Sequence, residues 1–189
     1  MNAGLHPWAA DLAELYAQVW IRLVRGVRDR RAPTRHPTLA TVTPEGKPQA
    51  RTVVLRAADK GTGILDIHTD LQSSKVAGLR ATPYAALHVW DAAARLQMRL
   101  EATVTILTGP DAAAIWAAVP DASRLSYGSQ PAPGNPIAQA LGYTKQPDPV
   151  SFAVLRLTVQ TIDALHLGLH HRRARFDRHA NWTGVWLSP

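Results

Sequence analysis

Cysteine is absent from this sequence of 189 residues. Without cysteine the chain has no disulfide, no thiolate ligand for zinc and no cysteine nucleophile. Apolar runs are also short, and nowhere do eighteen apolar residues follow one another, as a membrane-spanning helix would require. The N-terminal stretch MNAGLHPW lacks the basic start and apolar core of a secretory signal. We therefore expect a cytoplasmic protein that does not interact with membranes.

Several catalytic and ligand-binding motifs are missing as well. The sequence has no G-x-S-x-G elbow, no G-x-G-x-x-G loop and no P-loop, which argues against a hydrolase of that type and a doubly wound nucleotide-binding sheet. His166 and His170 have the His-x-x-x-His spacing of some metal sites. That spacing brings two ligands together only on a helix, whereas this segment has the pattern of strand and turn, so no metal is expected.

Acidic residues are fewer than basic ones, and the formal net charge is +7. Clustered arginines favour polyanions, so a nucleic-acid-binding barrel is one alternative. Two clusters occur, Arg22, Arg25, Arg28, Arg30, Arg31 and Arg35 near the N-terminus and Arg172, Arg173, Arg175 and Arg178 near the C-terminus. The competing interpretation is solvated surface arginine. We favour the latter, because the N-terminal aromatic residues occupy the apolar stripe of a helix and are not interleaved with basic residues on a strand.

The length and the absence of a break in composition predict one domain over residues 1–189. Residues 8–28 have the three- and four-residue spacing of an amphipathic helix, and short helices are expected at 73–80 and 111–119. A proline-rich stretch, 120–149, is expected to be irregular. Strand-like runs cover residues 38–43, 49–56, 64–69, 85–90, 96–107, 151–159, 162–169 and 183–187. The first three runs are expected to form a meander, and the whole to be mainly β, an antiparallel barrel with peripheral helices.

The stretch from Arg51 to Lys75 contains the strongest candidate site. Alternation along 49–56 places Arg51 on the face of its apolar neighbours, where an unpaired charge is costly unless an anion meets it or its guanidinium reaches solvent. Thr69, Ser73 and Ser74 supply hydroxyls ahead of Lys75, at a predicted helix start. Such a combination suits a phosphate, although a serine cap beside a solvated lysine has the same pattern.

This stretch resembles the flavin-binding segment of the pyridoxamine 5'-phosphate oxidase family, in which R-x-V-L-L-K is followed by Y-T-N and S-x-K. Here the corresponding residues read Arg51-Thr-Val-Val-Leu-Arg56, His68-Thr-Asp70 and Ser73-Ser-Lys75. Later motifs occur in the same order: Trp90, Arg95-Leu-Gln-Met-Arg99, Ser129-Gln130, Arg175-Phe176, Trp182 and Leu187-Ser-Pro189. The resemblance implies a six-stranded antiparallel split barrel that binds FMN at the interface of a homodimer.

The resemblance also implies roles for particular residues. Arg51 and Lys75 would bind the FMN phosphate, with Ser74 where relatives often have another basic residue. The backbone of Thr52, Val53, Val54 and Leu55 would follow the ring edge, and His68 and Thr69 would replace a Tyr-Thr pair. Gln97, Ser129 and Gln130 would come from the second subunit, with Arg175 approaching the ring. Candidate substrate contacts are Arg56, Ser123, His171 and Arg173.

The substrate positions differ from those of the vitamin-forming oxidase. Arg56, Val119 and the run His171-Arg-Arg-Ala-Arg175 stand where that enzyme has its phosphate-binding lysine, arginine and Arg-Leu-His-Asp-Arg. We therefore expect a divergent FMN oxidoreductase that transfers a hydride or electrons between the flavin N5 and a small substrate. No catalytic acid or base is assigned, because the flavin is itself the reactive centre. Alternatives within the fold are a non-catalytic FMN or heme binder and an NAD(P)H-dependent flavin reductase.

Overall fold

The structure is a computed structural model that describes residues 6–189, so part of the N-terminal stretch MNAGLHPW lies outside it. The main element is one antiparallel sheet of nine strands, and two short strands form a separate hairpin. The strands are β1 Thr38–Val42, β2 Pro48–Thr52, β3 Leu55–Asp59, β4 Ile64–Asp70, β5 Tyr84–Asp91, β6 Leu96–Leu107, β7 Ser129–Gln130, β8 Thr144–Lys145, β9 Phe152–Leu167, β10 His171–Asp177 and β11 Gly184–Leu187. The helices are α1 Leu12–Arg28, α2 Ser74–Ala81, α3 Pro110–Ala118 and α4 Asp121–Arg124.

Strand β9 organises the sheet, because it pairs with three other strands. One edge of β9 pairs with β6 along its length, while the other pairs first with β4 and then with β10. Beyond β6 the order continues through β5 and β1 to β2, and beyond β10 it ends at β11. The sheet does not close, so the prediction of a mainly β, antiparallel split-barrel fold is confirmed. It has nine strands, more than the six expected.

Helix α1 covers one side of the sheet with the apolar stripe that the sequence predicted. Leu15, Val19, Trp20 and Leu23 are almost fully buried in the main core. The helix begins later than the predicted residue 8, because Asp11 has extended backbone and its carboxylate accepts a hydrogen bond from the Glu14 N–H, 2.9 Å away. The preceding residues Pro7–Ala10 form a separate 3-10 turn.

The predicted strand 49–56 is divided into two strands, so the predicted three-stranded meander is wrong beyond the β1–β2 hairpin. The chain leaves β2 after Thr52, where the Val53 N–H donates to the Pro37 carbonyl at 3.0 Å, and β3 then starts at Leu55. Strand β2 pairs with β1, whereas β3 pairs with β4. Two C-terminal runs, 151–159 and 162–169, are in fact the single strand β9, and β10 was not predicted at all. Tertiary pairing has overridden the local pattern at each of these places.

The predicted helix at 111–119 is confirmed as α3. Ala112 is its buried residue, while Ile115 and Trp116 are partly buried against a second, smaller core cluster that includes Phe152. The proline-rich stretch 120–149 is largely irregular, apart from α4 and the β7–β8 hairpin. None of the helices in the described range has both the length and the apolar character needed to span a bilayer.

Candidate functional site

Arg51 lies at the end of an apolar row that crosses the sheet. It is paired with Leu39 on β1, which is paired with Leu87 on β5, which in turn is paired with Leu100 on β6. Residues directly opposite each other in antiparallel strands point to the same face. The three leucines are almost fully buried, and Arg51 is half-buried beside them. The prediction that Arg51 shares the apolar face is therefore confirmed.

The guanidinium of Arg51 is held by uncharged acceptors. Its Nη1 donates to the Thr41 hydroxyl at 2.6 Å and to the Leu39 carbonyl at 3.3 Å, and its Nη2 donates to the Gln49 side-chain carbonyl at 2.8 Å. Thr41 and Gln49 are paired across the β1–β2 hairpin, so both reach the same face as Arg51. These contacts fix the orientation of the guanidinium but leave its charge unneutralised.

Lys75 lies in the first turn of α2. Its Nζ donates to the Thr69 hydroxyl at 2.8 Å and to the Ser73 hydroxyl at 3.0 Å. Helix α2 lies very close to β1 because residue 78 is glycine: a Cβ there would be 2.2 Å from the Val42 carbonyl oxygen. The close approach holds Lys75 half-buried above the end of β4.

The cations of Arg51 and Lys75 form what we call the cradle, together with the hydroxyls of Thr41, Thr69 and Ser73. No ion pair among residues 6–189 includes either cation. Burial lowers the pKa of Lys75, and the positive charge of Arg51 lowers it further, while Asp70 opposes the shift. Burial likewise lowers the pKa of Arg51. Two neighbouring cations and several hydroxyls without a partner carboxylate are the arrangement that a phosphate requires.

The other residues predicted to bind the cofactor lie at varying distances from the cradle. Thr69 belongs to it, whereas Ser74 is exposed. Thr52 is exposed, Val53 and Val54 connect β2 to β3, and Leu55, the first residue of β3, is fully buried. His68 is the neighbour of Thr69 on β4, and consecutive side chains of a strand point to opposite faces, so His68 points away from the cradle. There it lies near Arg56, whose positive charge contributes to the lowered pKa of His68.

Arg56 lies in a β-bulge. The pairing of β3 with β4 shifts between Leu55 and Ala57, so Arg56 has no direct partner on β4 and its side chain is redirected. It approaches Tyr127, where burial raises the pKa of the phenol and the charge of Arg56 opposes that shift. The loop of Tyr127 is tied to β4, because the Gly128 N–H donates to the Asp70 carboxylate at 2.9 Å.

Of the remaining predicted residues, Gln97, His171, Arg173 and Arg175 lie on the outer face of the sheet, whereas Ser123, Ser129 and Gln130 belong to α4 and the β7–β8 hairpin. Gln97 is paired with Trp90 on one side and Leu165 on the other. Arg173 forms an ion pair with Asp163 at 2.7 Å, and Arg175 one with Asp177 at 2.9 Å. His171 is exposed at the start of β10, Ser123 is half-buried in α4, and Ser129 and Gln130 form β7. None of these side chains forms a hydrogen bond or an ion pair with Arg51 or Lys75 in the described part of the chain.

Sequence reasoning missed Thr41, Gln49 and Arg35 as site residues. The first two could have been found from the hairpin register, since a turn at 44–47 places residue 41 opposite residue 49. Arg35 is the last residue of the 3-10 turn Pro33–Arg35, and its Nη1 donates to the Val27 carbonyl at 2.7 Å and the Leu55 carbonyl at 3.2 Å. No local sequence signal indicates those contacts, because they join α1 to β3.

Comparison with known proteins identifies similar sequences. Residues 6–108 match the family described as "Pyridoxamine 5'-phosphate oxidase, FMN-binding domain". A pyridoxine/pyridoxamine 5'-phosphate oxidase of Gloeothece citriformis is 41% identical over 88 residues, covering 47% of this chain and 40% of that protein. A pyridoxine/pyridoxamine 5'-phosphate oxidase of Mycolicibacterium paratuberculosis is 36% identical over 134 residues, covering 67% of this chain and 59% of that protein. The matched stretches thus span less than two thirds of these relatives.

Solved structures resemble the whole described fold. A pyridoxamine 5'-phosphate oxidase-related, FMN-binding protein from Nostoc punctiforme superposes with a TM-score of 0.74 at 27% identity, covering 98% of this chain and 99% of the other. PhzG from Burkholderia lata, in complex with tetrahydrophenazine-1-carboxylic acid, superposes with a TM-score of 0.71 at 20% identity, covering 99% and 98%. At that identity PhzG supports the fold alone.

Proposed function

Because this chain belongs to the pyridoxamine 5'-phosphate oxidase family of FMN-binding domains, we propose that it is an FMN-dependent oxidoreductase whose cradle binds the FMN phosphate. The observation that carries the proposal is the pair Arg51 and Lys75, half-buried, close together and without a carboxylate partner among residues 6–189. Two buried cations in one place are costly unless an anion neutralises them.

The residues of the cradle fit a phosphate monoester. The guanidinium of Arg51 and the ammonium of Lys75 supply charge-assisted donors, and the hydroxyl of Thr69 supplies a further donor beside them. The Ser73 hydroxyl donates to the Asp70 carbonyl at 2.7 Å and accepts from Lys75, so it orients the ammonium. Bound FMN would supply hydride or electron transfer at its N5. The protein's own contribution is to hold the phosphate, fix its position through the close contact of α2 with β1, and limit its exposure to water.

We also propose that the functional unit is a homodimer. Gln97 and Arg175 lie on the outer face of the sheet, so they can contact a cofactor only if it is bound to a second copy of the chain. Trp90, the cross-strand neighbour of Gln97, is 43% exposed on the same face, although a large apolar side chain favours burial. A second subunit packed on this face would bury Trp90 and complete the site.

The first experiment is a visible absorption spectrum of the purified protein, with mass spectrometry of the molecule released by heat. We expect a flavin spectrum and the mass of FMN. Arg51→Gln and Lys75→Gln should lose the cofactor, while the exposed Arg30→Gln and Lys47→Gln are matched controls that should keep it. A correctly folded protein that is colourless and takes up no added FMN would refute the proposal.

Turnover separates the enzyme from a carrier. The loaded protein is mixed with NADH or NADPH under air, and oxidation of the nucleotide is followed by absorbance. Reduction of the bound flavin followed by reoxidation supports an oxidoreductase of the reductase kind. Bound flavin that neither nucleotide nor a panel of small amines and alcohols reduces would instead indicate a non-catalytic FMN binder, and a released heme would indicate a heme binder.

A further inference from the structure

A second group of unpaired cations lies on the other face of β4, in a cavity of about 500 Å³ between the β3–β4 hairpin and α3. Its polar lining consists of Arg35, Arg56, Asp66 and His68. The rest of the lining is mainly apolar and comes largely from α3 and the residues after it, including Ile115, Val119 and Pro120. The cavity is thus polar at one end and apolar along its walls.

Two buried atoms at the polar end lack a hydrogen-bond partner. The Nε of Arg56 and the Nδ1 of His68 are both inaccessible to solvent and unpaired among residues 6–189. A buried polar atom without a partner loses its bonds to water and gains none in return, so two of them beside one cavity point to a ligand that pairs with them. The bulge that redirects Arg56 is a feature often found next to binding sites.

The charges around the cavity favour an anion that carries a single charge. Arg35 and Arg56 have no ion-pair partner in the described part of the chain, and burial, then the charge of Arg56, lower the pKa of Arg35. Asp66 is already bound by Arg156 through two hydrogen bonds of 3.0 and 2.8 Å. Burial lowers the pKa of His68 to about 4, so its ring is neutral at pH 7 and adds no charge.

We propose that this cavity binds a small substrate through a carboxylate at the end of an apolar, ring-sized body. The planar fork of an arginine matches a carboxylate, and the neutral ring of His68 can donate a further hydrogen bond. A phosphate dianion fits less well, because Arg35 Nη1 is committed to backbone carbonyls and the Asp66 carboxylate lies in the same lining. Ile115 and Val119 provide the surface that a ring would bury. The inference rests on the proposed function, since it names the substrate class of that enzyme.

The test uses three probes with the same ring: 2-naphthoate, 2-naphthyl phosphate and 2-naphthalenemethanol. Each is titrated by calorimetry into the purified protein as isolated. We expect 2-naphthoate to bind at least about 10-fold more tightly than either of the others. Arg56→Gln should weaken 2-naphthoate at least about 10-fold, and Arg56→Lys, which keeps the charge but loses the fork, should weaken it less. The exposed Arg80→Gln, on α2, should leave its affinity unchanged.

Ala118→Trp is a second variant that keeps the test informative if Arg56→Gln does not fold. Ala118 is exposed and lines the cavity, so an indole there should block the apolar wall and abolish binding. Preferential binding of 2-naphthyl phosphate, no binding of any probe, or an unchanged affinity in both variants would overturn the proposal. Arg51→Gln separates the two hypotheses, because it should lose FMN yet still bind 2-naphthoate. If Arg51→Gln loses 2-naphthoate binding as well, the cavity is not the site.

Discussion

Arg51 and Lys75 show how the position of a side chain in the fold determines its chemistry. Both are half-buried, both have a lowered pKa with burial as its largest cause, and both donate to neutral oxygens. Some other half-buried arginines of this chain are paired with a carboxylate. Arg22 and Arg156, for example, each have a carboxylate within 3.1 Å. The difference between paired and unpaired cations is what distinguishes the cradle from an ordinary structural ion pair.

Two buried histidines make the stability of the fold depend on pH. Burial lowers the pKa of both His68 and His166 to about 4, with Arg56 adding to the first and His6, Arg172, Arg95 and Arg22 to the second, while Asp66 opposes the shift of His68. In the unfolded chain the pKa of each histidine is 6.5, so between pH 6.5 and 4 the unfolded chain binds more protons than the folded protein. The free energy of unfolding therefore falls as the pH decreases from 6.5 to 4. At pH 5 each histidine should cost about 2 kcal/mol.

The measurement is the free energy of unfolding in urea at pH 7, 6 and 5. His166→Gln should reduce the loss between pH 7 and 5 by about 2 kcal/mol, and the exposed His170→Gln is the matched control. An unchanged pH dependence in His166→Gln would show that His166 is not held neutral by its surroundings.

Among the elements, α2 and its contact with β1 determine the shape of the cradle. Gly78→Ala would place a Cβ 2.2 Å from the Val42 carbonyl oxygen, so the helix must shift away from the strand. We expect a loss of stability of about 1–3 kcal/mol and weaker FMN retention, because Lys75 moves with the helix. Urea unfolding and the ratio of flavin to protein absorbance check both effects. Ala77→Ser, at an exposed neighbouring position, is the control, and wild-type values for Gly78→Ala would contradict this account.

The strands show what a local pattern can and cannot predict. The β1–β2 hairpin and the β5–β6 pair were predicted because each has a turn between alternating runs. The break between β2 and β3 at Val53 could not be predicted, because the apolar pattern of the sequence continues through it. The break arises because β2 pairs with β1 whereas β3 pairs with β4. Strand β9 was predicted as two strands because Gln160 and Thr161 interrupt its apolar pattern. In the structure β9 continues through these residues, because Glu101 of β6 pairs with Thr161 while the next residue, Ala102, pairs with Val159. The register shift leaves Gln160 as an extra residue within one continuous strand.

The site was predicted in part for a similar reason. Arg51 and Lys75 were predicted because the spacing of charges and hydroxyls over 51–75 is local. The cavity with Arg35, Arg56 and His68 was not predicted, because it forms only where α3 and the residues after it cover the β3–β4 hairpin. The opposite directions of His68 and Thr69 follow from strand alternation and could have been predicted.

For the whole molecule, the proposed dimer gives a direct prediction. Light scattering should give twice the chain mass of 20.6 kDa. Trp90→Glu places a charge on the outer face of the sheet and should produce a monomer that also loses FMN. The control is Ile21→Glu, at a position 57% exposed on α1. A wild-type protein that runs as a monomer with FMN fully bound would contradict the shared site.

The most direct test of the phosphate cradle is the affinity of the FMN-free protein for FMN compared with riboflavin, which has the same ring and no phosphate. Quenching of flavin fluorescence measures both dissociation constants. We expect FMN to bind at least about 100-fold more tightly, or about 2.7 kcal/mol, and Lys75→Gln to remove most of that difference while Lys47→Gln retains it. Equal affinities for FMN and riboflavin in the wild-type protein would show that Arg51 and Lys75 do not bind the phosphate.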